Sequence, residues 1–177
     1  MTHEEYLEAA KEFATYPEDK AAEYLLIGLV GEAAELLEAA RDYENGVKQK
    51  FFSFEMAERR RSLLLKELGD VRWYLTMFSF VVGFEVKYEY KSKDRLLLPS
   101  ALCNSLSLEL GFICNKYKKI MRGETVSIRL NLIEVHELYF SILEMLEVSS
   151  SSIDAMNIEK LHGRKERGTL QGNGDDR

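Results

Sequence analysis

Proline occurs at only two positions, Pro17 and Pro99, and each stands just ahead of a long run with helical periodicity. Proline removes a helical hydrogen bond and clashes with the preceding turn, but the first turn of a helix tolerates it. From residue 18 to residue 98 the backbone meets no such break. β-branched residues are sparse, and the period-two alternation that marks a half-buried strand is nearly absent. The chain is therefore expected to be all-α, a multi-helix bundle.

Local signals divide it. Thr2 with Glu5 has the pattern of a capping box and opens a helix to about Thr15. Pro17-Glu18-Asp19 opens a second, with acids at its positive end, which Asn45-Gly46 stops after about Tyr43. Val47 to Ser53 reads as a loop carrying Lys48 and Lys50. A third helix spans about Phe54 to Gly83, and the charged stretch Glu85 to Arg95 reads as a surface connection. A fourth starts near Pro99 and ends before Gly123, and a fifth covers about Ser127 to Glu147. Ser149 to Ser152 reads as a turn whose last serine caps a short sixth helix to about Leu161. The glycine-rich remainder, with acids and bases mixed, reads as irregular. This predicts one domain over residues 1–163, with inserted helices at about 84–153, and a C-terminal tail over 164–177.

The 177 residues suffice for one domain with a core, and the net charge of −6 leaves no broad basic surface for a nucleic-acid backbone. No uncharged run is long enough to span a bilayer. Met1-Thr2-His3-Glu4-Glu5 is acidic, unlike a secretion signal. A cytoplasmic protein is expected, with neither nucleic acid nor membrane as partner. Cys103 and Cys114 lie about three helical turns apart, too far for a disulfide within one helix, and lack nearby histidines for zinc. They read as small core residues.

Two acid pairs carry the functional signal. Glu32-Ala-Ala-Glu35 and Glu67-Leu-Gly-Asp70 each place two carboxylates at i, i+3 on one helix face. Such a pair is usually a solvated face. Here, however, residues 21 to 40 contain Glu23, Glu32, Glu35 and Glu38 and no Lys or Arg, and residues 73 to 82 carry no charge. Acids in such apolar helices repel one another and lose hydration unless a cation joins them. If the two helices face each other, four carboxylates converge, a set suited to one to three Mg²⁺ or Mn²⁺ ions and thus to a phosphate-bearing substrate. A di-iron bundle needs Glu-x-x-His, and none of His3, His136 and His162 follows a Glu by three. His136 reads as a half-buried helix residue, and His162 as exposed or at the site's edge. Lys66 and Arg72 beside the second pair fit surface salt bridges. Trp73, Tyr74 and Phe78 read as core aromatics, with Trp73 and Tyr74 also candidates for stacking on a base. A faint repeat aligns Leu108-Glu109 onward with Gly31-Glu32 onward, and Glu134 and Glu137 with Glu67 and Asp70. Phe112 then falls where Glu35 stands, so Glu109, Glu134 and Glu137 would form a damaged second set.

These motifs resemble a family. Gly28-Leu-Val-Gly31-Glu32-Ala-Ala-Glu35 with Lys66-Glu67-Leu-Gly-Asp70-Val-Arg-Trp73-Tyr74-Leu75 is similar to the all-α nucleoside triphosphate pyrophosphohydrolases, which include MazG-like proteins and the dimeric dUTPases. Glu4-Glu5-Tyr6 and Asn157-Ile-Glu-Lys160-Leu161 follow MazG-like patterns. Arg164-Lys-Glu-Arg167-Gly168, with the ending Gly172-Asn-Gly174-Asp175-Asp-Arg177, resembles a tail of small bacterial and phage members. The resemblance implies hydrolysis of a (deoxy)nucleoside triphosphate to monophosphate and pyrophosphate by a homodimer or homotetramer, in a bacterial or phage-infected cytoplasm. It makes Glu32, Glu35, Glu67 and Asp70 metal ligands. Glu35 and Glu38 become candidates for the catalytic acids, Glu38 as a further ligand or the water-activating base. Asn157, Lys160 and Arg164 become contacts to the nucleotide's phosphates or the metal shell, with Arg167 a further candidate for phosphate binding. Residues 157 to 168 agree on charge, setting Lys160, Arg164, Lys165 and Arg167 against Glu159 and Glu166. The chain departs from a minimal member in the long spacing between the acid pairs and in the insertion from Phe84 to Ile153. Base and sugar stay open among dUTP, dCTP, (d)GTP and damaged nucleotides. A catalytically silent module that binds nucleotides or a partner helix is the alternative reading.

Overall fold

A computed structural model describes residues 1–48, 53–86 and 98–170, and among these it is helical without a strand. The helices are α1 (His3–Lys11), α2 (Ala21–Lys48), α3 (Phe54–Val81), α4 (Pro99–Ile120), α5 (Arg129–Met145) and α6 (Ser150–Glu166), with a 3₁₀ turn at Glu18–Lys20 ahead of α2. Lys50, most of the connection to Arg95 and the last residues of the tail lie outside the described residues. No described helix is long and apolar enough to cross a membrane.

Two helical hairpins, α2–α3 and α4–α5, pack through α2 and α4, while α1 and α6 close over α3. The sequence of α3 explains its central place. From Leu68 to Ser79 nearly every residue is buried, so this helix is covered on several sides rather than along one stripe. Tyr139 of α5 donates its hydroxyl hydrogen to the Leu68 carbonyl at 3.3 Å. Trp73 Nε1 donates to the Ala10 carbonyl at 3.2 Å, tying α3 to the end of α1. Cys103 is buried in α4 and Cys114 is partly buried there, both as free thiols; burial pushes Cys103 up to about 12.

Several boundaries differ from expectation. The Thr2–Glu5 capping box forms, but α1 ends at Lys11. Asn45-Gly46 does not stop α2, which continues to Lys48. The last turns of α2 are anchored through Glu44, whose carboxylate accepts from the Ser100 amide at 2.7 Å and the Ser100 hydroxyl at 2.8 Å. That carboxylate caps the positive end of α4, where Leu98 has no side chain to do so. Ser149, not Ser152, caps α6, and α6 runs past Leu161 to Glu166, through the expected domain–tail boundary. Gly168, with φ of 68°, follows its end.

At Gly28 the Tyr74 ring of α3 packs directly on the backbone of α2. A Cβ there would stand 2.1 Å from Cε1 of Tyr74. Alanine is intrinsically the better helix former by about 1 kcal/mol, but overpacking costs about 1–3 kcal/mol. Gly28→Ala is therefore expected to lower stability by about 1–2 kcal/mol in urea unfolding, and the loss should vanish in a Tyr74→Ala background. An equal loss in both backgrounds would contradict the close approach.

Candidate metal centre

The α2–α3 hairpin brings the two acid pairs together. One carboxylate oxygen from each of Glu32, Glu35 and Glu67 lies within 4.8 Å of the other two, and all three residues are partly buried. Such a group offers only hard oxygen donors, and its geometry is compatible with a divalent cation completed by water. Glu32 feels the crowding most. Burial first, then the charges of Asp70, Glu35 and Glu67, push its carboxyl from 4.5 to about 8, and Lys160 pulls the other way. The group offers a cation hard oxygen donors, and Lys160 is a protein cation that already acts on Glu32.

The strain has a measurable consequence. The folded chain keeps a proton on Glu32 that the unfolded chain releases near pH 4.5, so this group's stabilising contribution is complete below that pH. It is lost as pH rises through about 8. In chelator, the wild type is expected to lose on the order of 2 kcal/mol more stability between pH 5 and pH 9 than Glu32→Gln, allowing for solvent screening. Urea unfolding at the two pH values reads this difference. A parallel pH dependence in the two proteins would contradict the crowding.

Asp70 sits beside the group rather than in it. Its Oδ2 is 2.6 Å from Lys160 Nζ, and its Oδ1 faces Asn157 Nδ2 at 3.5 Å. Both partners come from α6, far away in sequence. Asn157 is only 2% exposed, and its side chain lies against Gly69, where a Cβ would approach to 3.2 Å. Glycine between Glu67 and Asp70 thus lets α6 lie close to the acids.

A buried polar network that the sequence did not disclose holds α6 in place. Arg72, expected at the surface, is 1% exposed. Its Nε donates to Asp154 Oδ1 at 2.8 Å, its Nη2 lies 3.3 Å from His3 Nδ1, and its guanidinium lies 4.8 Å from the centre of the Tyr6 ring. Tyr6 in turn donates its hydroxyl hydrogen to Asn157 Oδ1 at 2.8 Å. Burial pushes the Asp154 carboxyl up, and Arg72 opposes that shift. Burial and the Arg72 charge lower His3 to about 4. The one available sign was the spacing Asp154-x-x-Asn157-x-x-Lys160, a polar stripe on a single helix face.

The other candidates fall in different surroundings. Glu38 is exposed on α2 and outside the three-acid group. Arg164 is partly buried one turn after Lys160, and Arg167 is exposed at the end of α6, its guanidinium folded toward Gly163. Lys160 and Arg167 also line a cleft of about 540 Å³ beside α6. Trp73 is buried, edge-on to Tyr74 with ring centres 4.9 Å apart. Tyr74 is partly buried beside Glu32, with its phenol raised first by burial. His162 is exposed, with its ring 5.0 Å from that of Phe13.

His136 is completely buried rather than half-buried. Its Nε2 lies 3.0 Å from Ser79 Oγ, its ring stacks on Phe84, and burial lowers it to about 3. In the second hairpin, Glu109 accepts from Asn131 Nδ2 at 2.8 Å, and Lys116 donates to Asn131 Oδ1 at 2.6 Å. Glu134 and Glu137 are partly buried on α5. No protein-family model, curated protein or solved structure matches this chain.

Proposed function

We propose that the protein is a divalent-metal-dependent nucleoside triphosphate pyrophosphohydrolase of the MazG-like, all-α type. The observation that carries this reading is the meeting of Glu32, Glu35 and Glu67 at one point, with Asn157 and Lys160 delivered to Asp70 from α6. Phosphoryl chemistry needs both parts, an oxygen-rich cation site and protein cations beside it for the remaining phosphate charge.

In this reading Glu32, Glu35, Glu67 and Asp70 hold Mg²⁺ or Mn²⁺, one to three ions. The bound cation would supply charge neutralisation on the phosphates and a more acidic water. Glu35 or Glu38 accepts the proton of the attacking water. The water oxygen bonds to the α-phosphorus, the α–β anhydride bond breaks, and pyrophosphate leaves with that bond's electron pair. Lys160 gives the phosphates a point charge, Arg164 and Arg167 offer paired donors, and Asn157 orients the Lys160–Asp70 corner. Tyr74 is better placed than the buried Trp73 to meet a base. A homodimer or homotetramer belongs to the same proposal. Exposed Ile27 and Val30 on α2 and Leu108 and Phe112 on α4 support it as apolar surface on neighbouring helices.

A panel of ribo- and deoxynucleoside triphosphates with Mg²⁺ or Mn²⁺, resolved by chromatography, tests the reaction. Monophosphate with pyrophosphate is the expected product pair. Diphosphate with phosphate would overturn the cleavage position, and no turnover of any triphosphate would favour a silent binding module.

A further inference from the structure

We propose that Lys160 is a built-in counter-ion that denies Asp70 to a second divalent cation, so that the nucleotide-free site takes one and a second enters when phosphate draws the lysine away. The inference rests on the reading of the acids as a metal site and concerns how that site is loaded.

Asp70 differs from the other three acids in its hydrogen bonding, though it is close enough for its charge to act on Glu32. Glu32, Glu35 and Glu67 converge within 4.8 Å and can share one cation. Asp70, on the next turn of the same α3 face, is instead drawn to α6, with Lys160 Nζ at 2.6 Å from one oxygen and Asn157 Nδ2 at 3.5 Å from the other. The pair is sheltered, with side-chain exposures of 23% for Lys160 and 12% for Asp70. Asn157 is fixed by Tyr6, so the corner is held by parts of the chain that do not belong to the acid helices.

Charge decides the consequence. Glu32, Glu35 and Glu67 offer one divalent cation an oxygen from each of three carboxyl groups. Asp70 paired with an ammonium is neutral and offers a second cation little, because ammonium and metal compete for the same oxygens. A polyphosphate changes that balance. Lysine is a compact charge on a flexible stem and can turn from a carboxylate to a phosphate oxygen. Asp70 is then released for a cation that arrives with the phosphates. Arginine in this position would keep the charge, whereas methionine would keep only the stem.

Mn²⁺ titration of the full chain, with free Mn²⁺ read by electron paramagnetic resonance, tests this without reference to turnover. Wild type is expected to bind one Mn²⁺ tightly, Lys160→Arg to match it, and Lys160→Met to gain a second site tightened about tenfold or more. Thermal melting followed by circular dichroism verifies that each variant is folded. Inorganic tripolyphosphate at the protein concentration should raise the Mn²⁺ bound by wild type, after subtraction of what the anion binds alone. A Lys160→Met curve identical to wild type overturns the inference while leaving the metal site standing, as do two equal sites in nucleotide-free wild type. No extra Mn²⁺ with tripolyphosphate overturns the exchange, and a wild type that binds no Mn²⁺ removes the site and the inference together.

Discussion

Glu35→Gln is expected to lower pyrophosphate release from a triphosphate substrate by at least about 100-fold while the protein stays folded. The substitution keeps the shape of the side chain and removes one of the three carboxyl groups that meet at the site. Loss of even an outer partner of a metal ligand typically costs about 10–100-fold in affinity or activity, and a ligand that also accepts a proton should cost more. Steady-state kinetics across Mn²⁺ concentrations distinguishes weaker cation binding, which excess metal restores, from a lost proton acceptor, which it does not. Equal turnover by the variant and the wild type would end the assignment of this site.

Arg72→Met is expected to destabilise the fold by about 3–5 kcal/mol. Arg72 and Asp154 form an ion pair with both side chains 2% exposed, and removing the guanidinium leaves a carboxyl in the interior without its counter-ion. The arginine already lacks a hydrogen-bond partner for Nη1, so the pair contributes less than its contacts suggest. That sharpens the expectation for the double variant. Arg72→Met with Asp154→Leu should be more stable than Arg72→Met alone, because an apolar pair carries no desolvation penalty. Chemical denaturation of wild type, Arg72→Met, Asp154→Leu and the double variant measures the cycle. Additive losses would show that the two side chains do not act as a pair. The variant also bears on the site, since Asp154 lies one turn before Asn157 on α6, and loosening that helix moves Lys160 away from Asp70.

The helical class was legible because helix formation is largely local. Two prolines at helix starts, apolar residues at helical spacing and a capping box at Thr2 needed no partner to be read. The acid pairs were legible for the same reason, since i, i+3 spacing alone puts Glu32 with Glu35 and Glu67 with Asp70 on common faces. Errors arose where distant contacts outweighed local preference. Asn45-Gly46 was overridden by Glu44 holding the start of α4, and Arg72 passed for a surface residue because Asp154 stands on another helix.

By itself, then, the sequence determined the helices and the pairing of acids within each of them, both properties of neighbours along one chain. Only the tertiary structure decided that Glu67 joins Glu32 and Glu35, that Asp70 turns instead to Lys160, and that Arg72 is buried beneath α6. Those outcomes depend on which charges share a small, poorly hydrated space. At such range burial and Coulomb forces outweigh helix propensity, and spacing along the chain carries no record of them.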